Sequence, residues 1–344
     1  MKIIEFFESD ELTQQRLLHA LRRCDWEAAK YLLGLLEDGT FAETLGGKGR
    51  LFFLLDGETV VSFLTLTDQD CVAAPDMTPW IGFVFTFPEY RGKGNIGILL
   101  DHARKCTALD GVPFVFLATN HTGPYEKYGF AFLGNRKDIH GEESRLYVAP
   151  AVDIVPLADA TQKQAREVIR QSGIREAWES IGAKVNQVGS MATGLLMKHR
   201  DIDFHIYTDK LDATESFKAI SRICVNPNVI RLEYRNLAAT DEACLEWHVW
   251  YNLDGEEWQI DMIQILRGSQ FDGYFEHVAE RIKAALTPER RRTILELKYL
   301  TPSEEHIAGI EYSQAVIADG VRTYVQFTAW RKEHPMTGIN QWCP

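Results

Sequence analysis

The chain has 344 residues and a mass of 39.2 kDa. Domains mostly run about 100–150 residues, so two are expected. Apolar residues at 45%, charged residues at 25% and a mean hydropathy of −0.20 exclude a disordered chain; with no uninterrupted run of about 18 apolar residues, they also exclude a membrane span. The net charge of −12 argues against nucleic acid as the main partner, and it divides evenly, −6 in residues 1–150 and −6 in 151–344. Six cysteines lie far apart without CxxC or zinc-type spacing, and MKIIEFFESDEL meets acids too early for a secretory signal. Reduced, mostly buried thiols in the cytoplasm are the expectation.

In chain order, residues 11–23 and 26–37 carry apolar positions at helical spacing and read as two helices. Residues 50–68 read as a hairpin, two apolar runs joined by Asp56-Gly57. WIGFVFTF, 80–87, is near-continuously apolar and reads as a strand buried on both faces. The helix ILLDHARKC and a further strand, VPFVFLAT over 112–119, follow. A strand-like run from Arg145 to Val148 meets Pro150 and Pro156, which end sheet pairing and mark a boundary within 147–161. The domains expected are therefore 1–150 and 151–344. The second opens with a helix over 160–180 and continues with strands QVGS, IDFHIYT, CLEWHVWYNL and EWQIDMIQIL. Helices over 272–286, 288–299 and 303–333 close it, giving a core of 160–266 and a helical tail of 270–335.

Two constellations carry chemistry. In the first, Pro88 stops the strand WIGFVFTF, and Arg91-Gly92-Lys93-Gly94-Asn95-Ile96-Gly97 opens a helix. A glycine-rich strand-to-helix turn presents backbone N–H groups at the positive end of the helix dipole, which suits a pyrophosphate, and Arg91 and Lys93 add charge there. The turn is neither a P-loop nor a Rossmann fingerprint. Further on, Tyr125-Glu126-Lys127-Tyr128-Gly129-Phe130 reads as a short helix stopped by Gly129. Together these segments resemble the GNAT family of acetyl-CoA-dependent N-acyltransferases over roughly 45–148. That family carries Arg/Gln-x-x-Gly-x-Gly/Ala at the pyrophosphate loop and a YEKLGF-like segment near the end.

The resemblance implies that N–H groups from Arg91 through Gly92, Lys93, Gly94, Asn95 and Ile96 to Gly97 hold the coenzyme A pyrophosphate. It implies that the backbone of Phe85 and Thr86 pairs with the pantetheine arm and acetyl carbonyl. Tyr125 stands where the family often places a phenol beside the coenzyme A sulfur, a general acid for the leaving thiolate. Ile96 occupies a position where the family has glycine or alanine. No acid lies within WIGFVFTF, where many members carry a general base, and Glu89 follows Pro88 on a stretch expected to face solvent. His121, Asp76 or a water relay remain open for that role.

The second constellation is Gly189-Ser190, ten residues, then Asp201-Ile202-Asp203, with Asp261 interrupting a later apolar strand. A period of two places Asp201 and Asp203 on one face. Two adjacent carboxylates are commonly reconciled by a divalent cation, and a buried aspartate needs neutralising. The pattern resembles the DNA polymerase β superfamily of nucleotidyltransferases over about 160–266. It implies that Gly189 and Ser190 cradle a nucleoside triphosphate, that Asp201 and Asp203 hold Mg²⁺, and that Asp261 joins the metal set and activates the attacking hydroxyl. Lys198 and Arg200 are candidates for phosphate contacts, and Glu246 competes with Asp261 for the third position. Trp247, Trp250, Tyr251 and Trp258 read as sheet core, and ERRR at 289–292 as a solvated helix face.

The expectation is thus a two-domain α+β / α/β chain: a GNAT mixed sheet flanked by helices, then a nucleotidyltransferase-like mixed sheet with a helical C-terminal tail. The function expected is that of a bifunctional transferase, using acetyl-CoA to acetylate a small-molecule amine and Mg²⁺ with a nucleotide for nucleotidyl transfer to a small substrate. The alternative keeps the acetyltransferase and makes the second domain a non-catalytic nucleotide-binding or regulatory module. Neither nucleic acid nor membrane is expected as a partner.

Overall fold

Short-range patterning becomes long-range pairing in a computed structural model that describes residues 1–336 and 340–344. The chain divides into two units, Met1–Asp153 and Ile154–Pro344.

The first unit runs β1 (Lys2–Glu5), α1 (Glu11–Arg22), α2 (Glu27–Glu37), α3 (Phe41–Leu45), β2 (Arg50–Asp56), β3 (Thr59–Thr67), β4 (Trp80–Thr86), α4 (Asn95–Leu109), β5 (Phe114–Thr119), β6 (Ala131–Lys137) and β7 (Glu143–Pro150). The sheet order is β1-β2-β3-β4-β5-β7-β6, with β4 and β5 parallel and every other neighbour antiparallel. The hairpin forms where expected, but its turn is Gly57-Glu58, with Asp56 paired to Thr59 and Gly57 taking a φ of 60° that costs glycine little. Strand alternation sends Phe53, Phe63 and Leu51 to one face, against Leu17, Leu21 and Leu32 of α1 and α2. It sends Leu54, Leu64 and Ile81 to the other, against Leu99, Leu100 and Ala103 of α4. Each such fully buried side chain is worth roughly 1.5–3 kcal/mol relative to exposure. β1, α3 and β6 are too short or too polar to stand out in the sequence.

The second unit runs α5 (Ile154–Ser172), α6 (Ile174–Glu179), β8 (Lys184–Gln187), α7 (Gly189–Thr193), β9 (Asp201–Thr208), α8 (Ala213–Cys224), β10 (Val229–Asn236), β11 (Cys244–Leu253), β12 (Glu256–Leu266), α9 (Tyr274–Ala285), α10 (Pro288–Leu300), α11 (Gly309–Ile317) and α12 (Tyr324–Glu333). The sheet is mixed, ordered β10-β11-β12-β9-β8, with β12 and β9 parallel. One face packs Ile202, Phe204, Ile260 and Met262 against Val168, Trp178 and Ile220 of α5, α6 and α8.

Several expectations are corrected. The helix over 160–180 is two helices, parted at Gly173 with φ 67°. Pro156 does not end a strand; it lies in the first turn of α5, where a missing N–H is harmless. The segment 303–333 holds two helices, α11 and α12. Only Cys24 and Cys244 of the six free thiols are buried. No helix among the described residues is long and apolar enough to cross a membrane.

Candidate functional site

In the first unit, the C-terminal half of β4 is where the sheet opens. Among the described residues β4 pairs with β5 only at Trp80↔Phe116 and Ile81↔Leu117, so from Gly82 to Thr86 its β5-facing edge has no strand partner there. On the other edge the register slips, Phe63 facing Phe85 while Thr65 faces Gly82, which is a bulge in β4. Phe83 in the bulge sits at φ 48°, a region bulky residues rarely occupy. The expectation of a strand buried on both faces therefore holds for Trp80 to Gly82 and fails for Phe83 to Thr86, which are half-buried. The Phe85 carbonyl accepts from Ser62 Oγ at 2.6 Å and the Thr86 carbonyl from Arg91 Nε at 3.0 Å.

The glycine-rich turn caps α4 through Gly94 at φ 75°, with Gly92 at φ 76° before it. Arg91, Gly92, Lys93 and Gly94 are exposed; Asn95 is buried and its Nδ2 donates to the Tyr90 carbonyl at 3.0 Å. The expected run of phosphate-binding N–H groups is narrowed at both ends. The Arg91 N–H donates to Pro88 O at 3.2 Å and the Gly97 N–H to Gly94 O at 3.0 Å, which leaves Gly92 through Ile96. Gly97 serves packing instead, since a Cβ there would stand 2.6 Å from the Tyr128 ring. Lys93 Nζ lies 5.3 Å from the centre of the Tyr90 ring.

Tyr125 is buried against Phe130 and Tyr147. Burial pushes the phenol up to about 12, against the opposing influence of the Thr119 side chain at the end of β5. The phenol thus stays protonated at neutral pH, the state a general acid requires. Glu89, His121 and Asp76 are exposed, whereas Asp70 puts its carboxylate on β4 at Gly82.

In the second unit, Asp203 stands directly opposite Asp261 across the parallel β9–β12 pair, and Asp201 opposite Gln259. All four lie on the face away from the Phe204–Met262 core. Glu246, on β11, is in register with Ile263, while His248 is in register with Asp261. Gly189, at φ 65°, abuts Asp203: a Cβ would overlap the carboxylate. Burial, then the charges of Asp261 and Asp201, push the Asp203 carboxyl up to about 7. The Ser190 backbone and the Lys298 charge act on that carboxylate in the opposite sense, lowering its pKa. His248 Nδ1 sits 2.6 Å from Asp261 Oδ1, and Gln259 Nε2 donates to Asp261 Oδ1 at 2.9 Å. That contact, opposed by burial, raises the His248 pKa.

One residue was not anticipated. Lys298, on α10, donates from Nζ to Ser190 Oγ at 2.7 Å and to Leu195 O at 3.0 Å, and burial drives its pKa down to about 8 despite the pull of Asp203 and Asp201. A lysine at helical spacing from Ile294 and Leu295, on the apolar stripe of its helix, was the available signal. Of the expected cations, Arg200 is committed to Glu256 at 2.6 Å and 2.9 Å, and Lys198 borders the same cleft. Arg291 of the presumed solvated face ties Gly194 O at 3.1 Å and Asp159 at 2.6 Å. A cavity of about 300 Å³ opens over Asp203, Asp261 and Lys298, walled by Phe275, Val278 and Ile282. His205 lies in its floor, held neutral by burial that takes its pKa down to about 4.

The carboxylate set is made of hard oxygen donors, and Asp203 is crowded by two like charges, so a divalent cation fits the donor chemistry. The three carboxylates do not all present oxygens within 4.8 Å of one another; among the described residues Glu242, Cys244 and Glu246 alone form such a trio.

Residues 32–133 match the family model described as an acetyltransferase (GNAT) domain, and the first unit carries that domain. No protein of curated function matches the chain. Among solved structures, an aminoglycoside 6'-N-acetyltransferase complexed with coenzyme A is similar at 12% identity, with 44% of this chain and 98% of that chain covered and a TM-score of 0.34. The aminoglycoside 6'-N-acetyltransferase from Enterococcus faecium is similar at 14% identity, 44% and 98% coverage and a TM-score of 0.34. A spermidine N-acetyltransferase from Vibrio cholerae is similar at 15% identity, 43% and 94% coverage and a TM-score of 0.31.

Proposed function

We propose that this protein is a two-site transferase: the first unit acetylates a small amine from acetyl-CoA, and the second transfers a nucleotidyl group from a nucleoside triphosphate. The unpaired edge of β4 running into the capped turn of α4 carries the first half of the reading. The pantetheine arm takes the strand position that β5 vacates, and the N–H groups of Gly92 to Ile96 receive the pyrophosphate. The amine attacks the acetyl carbonyl and Tyr125 donates a proton as the thiolate leaves. Release of coenzyme A thiol, measured across a panel of primary amines, tests it; no release with any amine overturns it.

The second half rests on Asp203 facing Asp261 beside Gly189 and Lys298. Asp201 and Asp203, with Asp261, would hold Mg²⁺, which when bound offsets charge on the triphosphate. Ser190 and Lys298 contact phosphate oxygens, and Asp261, oriented by His248 and Gln259, accepts the proton of the attacking hydroxyl. Lys298 also favours the second reading, a nucleotide-binding module without catalysis, because its ammonium already supplies a positive charge beside Asp203. Mg²⁺-dependent pyrophosphate release, with Asp201→Ala/Asp203→Ala as control and Mn²⁺ binding as an independent readout, separates the two. Nucleotide binding without pyrophosphate release from any triphosphate favours the module.

A further inference from the structure

We infer that Asp70 is the proton acceptor for the attacking amine in the first unit, an assignment that rests on reading that unit as an acetyltransferase. β4 itself, WIGFVFT, offers no ionisable side chain. The carboxylate arrives instead from the loop between β3 and β4, and the strand makes room for it with its one glycine. A Cβ on Gly82 would stand 2.7 Å from Asp70 Oδ2 and 3.0 Å from Thr65 Oγ1. Gly82 is the first residue of β4 beyond its pairing with β5 and the last before the bulge, so the carboxylate sits where the cleft begins.

The loop is held from several sides. Asp70 Oδ1 accepts from the Cys71 N–H at 2.5 Å, Ile139 N–H donates to Cys71 O at 2.8 Å, and Val72 bridges Asp138. Gln69 is pinned by its N–H to Leu45 O at 3.1 Å and by Thr67 Oγ1 on its carbonyl at 2.9 Å. These contacts fix one carboxylate oxygen and aim the other at the strand. The charge of Asp70 is felt at the Tyr125 phenol, which places the proton acceptor and the proton donor within electrostatic reach of each other. Thr65 Oγ1, buried and without a hydrogen-bond partner, lies beside the same spot. Burial raises the Asp70 carboxyl above its ordinary value, which brings its basicity closer to that of a working general base.

The proton balance is complete with these groups. The substrate ammonium loses one proton to Asp70 Oδ2, and the neutral nitrogen forms the C–N bond at the acetyl carbon. The remaining excess N–H proton reaches the sulfur by way of the Tyr125 hydroxyl as the C–S bond breaks. Asp70 then returns its proton to solvent, leaving the acetamide and coenzyme A thiol.

The test uses the full chain and two acceptors, an alkylamine protonated at pH 7 and a weakly basic amine already neutral there. Asp70→Asn keeps an oxygen for the Cys71 N–H and removes the base. It is expected to lower kcat/KM for the alkylamine about 10²–10⁴-fold, the range for general-base loss, while the neutral amine is little affected and acetyl-CoA binds as in the wild type. Gly82→Ala, which displaces the carboxylate without neutralising it, is expected to lose alkylamine turnover in the same selective way. An unchanged rate in Asp70→Asn, or equal losses for both amines, overturns the role of Asp70 alone. Wild-type protein that neither binds acetyl-CoA nor acetylates either amine overturns the reading of the unit, and the assignment with it.

Discussion

Replacing Gly189 with alanine separates two physical costs that coincide in the second unit. The residue lies at φ 65°, and an added Cβ would overlap the Asp203 carboxylate. Gly194, at the other end of α7, has a similar φ of 77° but nothing within 4 Å of the same virtual atom. Left-handed geometry costs a non-glycine residue about 1–2 kcal/mol, which Gly194→Ala incurs alone. Gly189→Ala adds overpacking, about 1–3 kcal/mol, because the Asp203 carboxylate must move. The two variants should therefore differ by at least about 1 kcal/mol, or about 2–4 °C in the second unit's transition. Thermal unfolding followed by tryptophan fluorescence reads it, because Trp178, Trp247 and Trp258 are fully buried in that core. Equal transitions would show that the Gly189–Asp203 contact is not a steric constraint, and this account of the turn would fail.

The remaining predictions concern both units. Tyr125→Phe should lower amine acetylation by about 10²-fold at unchanged acetyl-CoA affinity, measured by steady-state kinetics and calorimetry. The Tyr125 phenol is raised from 10.0 to about 12 in the folded state, so its contribution to stability is whole below pH 10 and is lost as pH rises toward 12. Denaturant titrations between pH 9 and 12 should show this slope in the wild type and a shallower one in Tyr125→Phe. Gly97→Ala should destabilise the first unit by about 1–3 kcal/mol and weaken acetyl-CoA binding, because Tyr128 must move off α4. Asp203→Asn should weaken Mn²⁺ binding at least about 10-fold and leave acetylation untouched.

Much of this protein was legible in local spacing. Helical periodicity located α1 and α2 and the glycine after Asp56 located the first hairpin, whereas Pro156, read as ending sheet pairing, belongs to a helix start. The capped turn before α4 and the Asp201-Ile202-Asp203 alternation were also readable, since φ preference and a period of two are properties of adjacent residues. What adjacent residues do not encode is register. The facing of Asp203 and Asp261 depends on how β9 and β12 slide, and Lys298 meets Ser190 across 108 positions of chain. The close approach of Tyr128 to Gly97, and the bonds of Arg291 to the Gly194 carbonyl and Asp159, likewise join residues far apart in the chain. The same holds for Asp70. As one acid among several in a polar loop it was unremarked, and only the strand beside it, stripped of a side chain at Gly82, turns it toward the cleft. Local chemistry chose the elements and their caps; the sheet, by aligning residues distant in the chain, decided which charges meet.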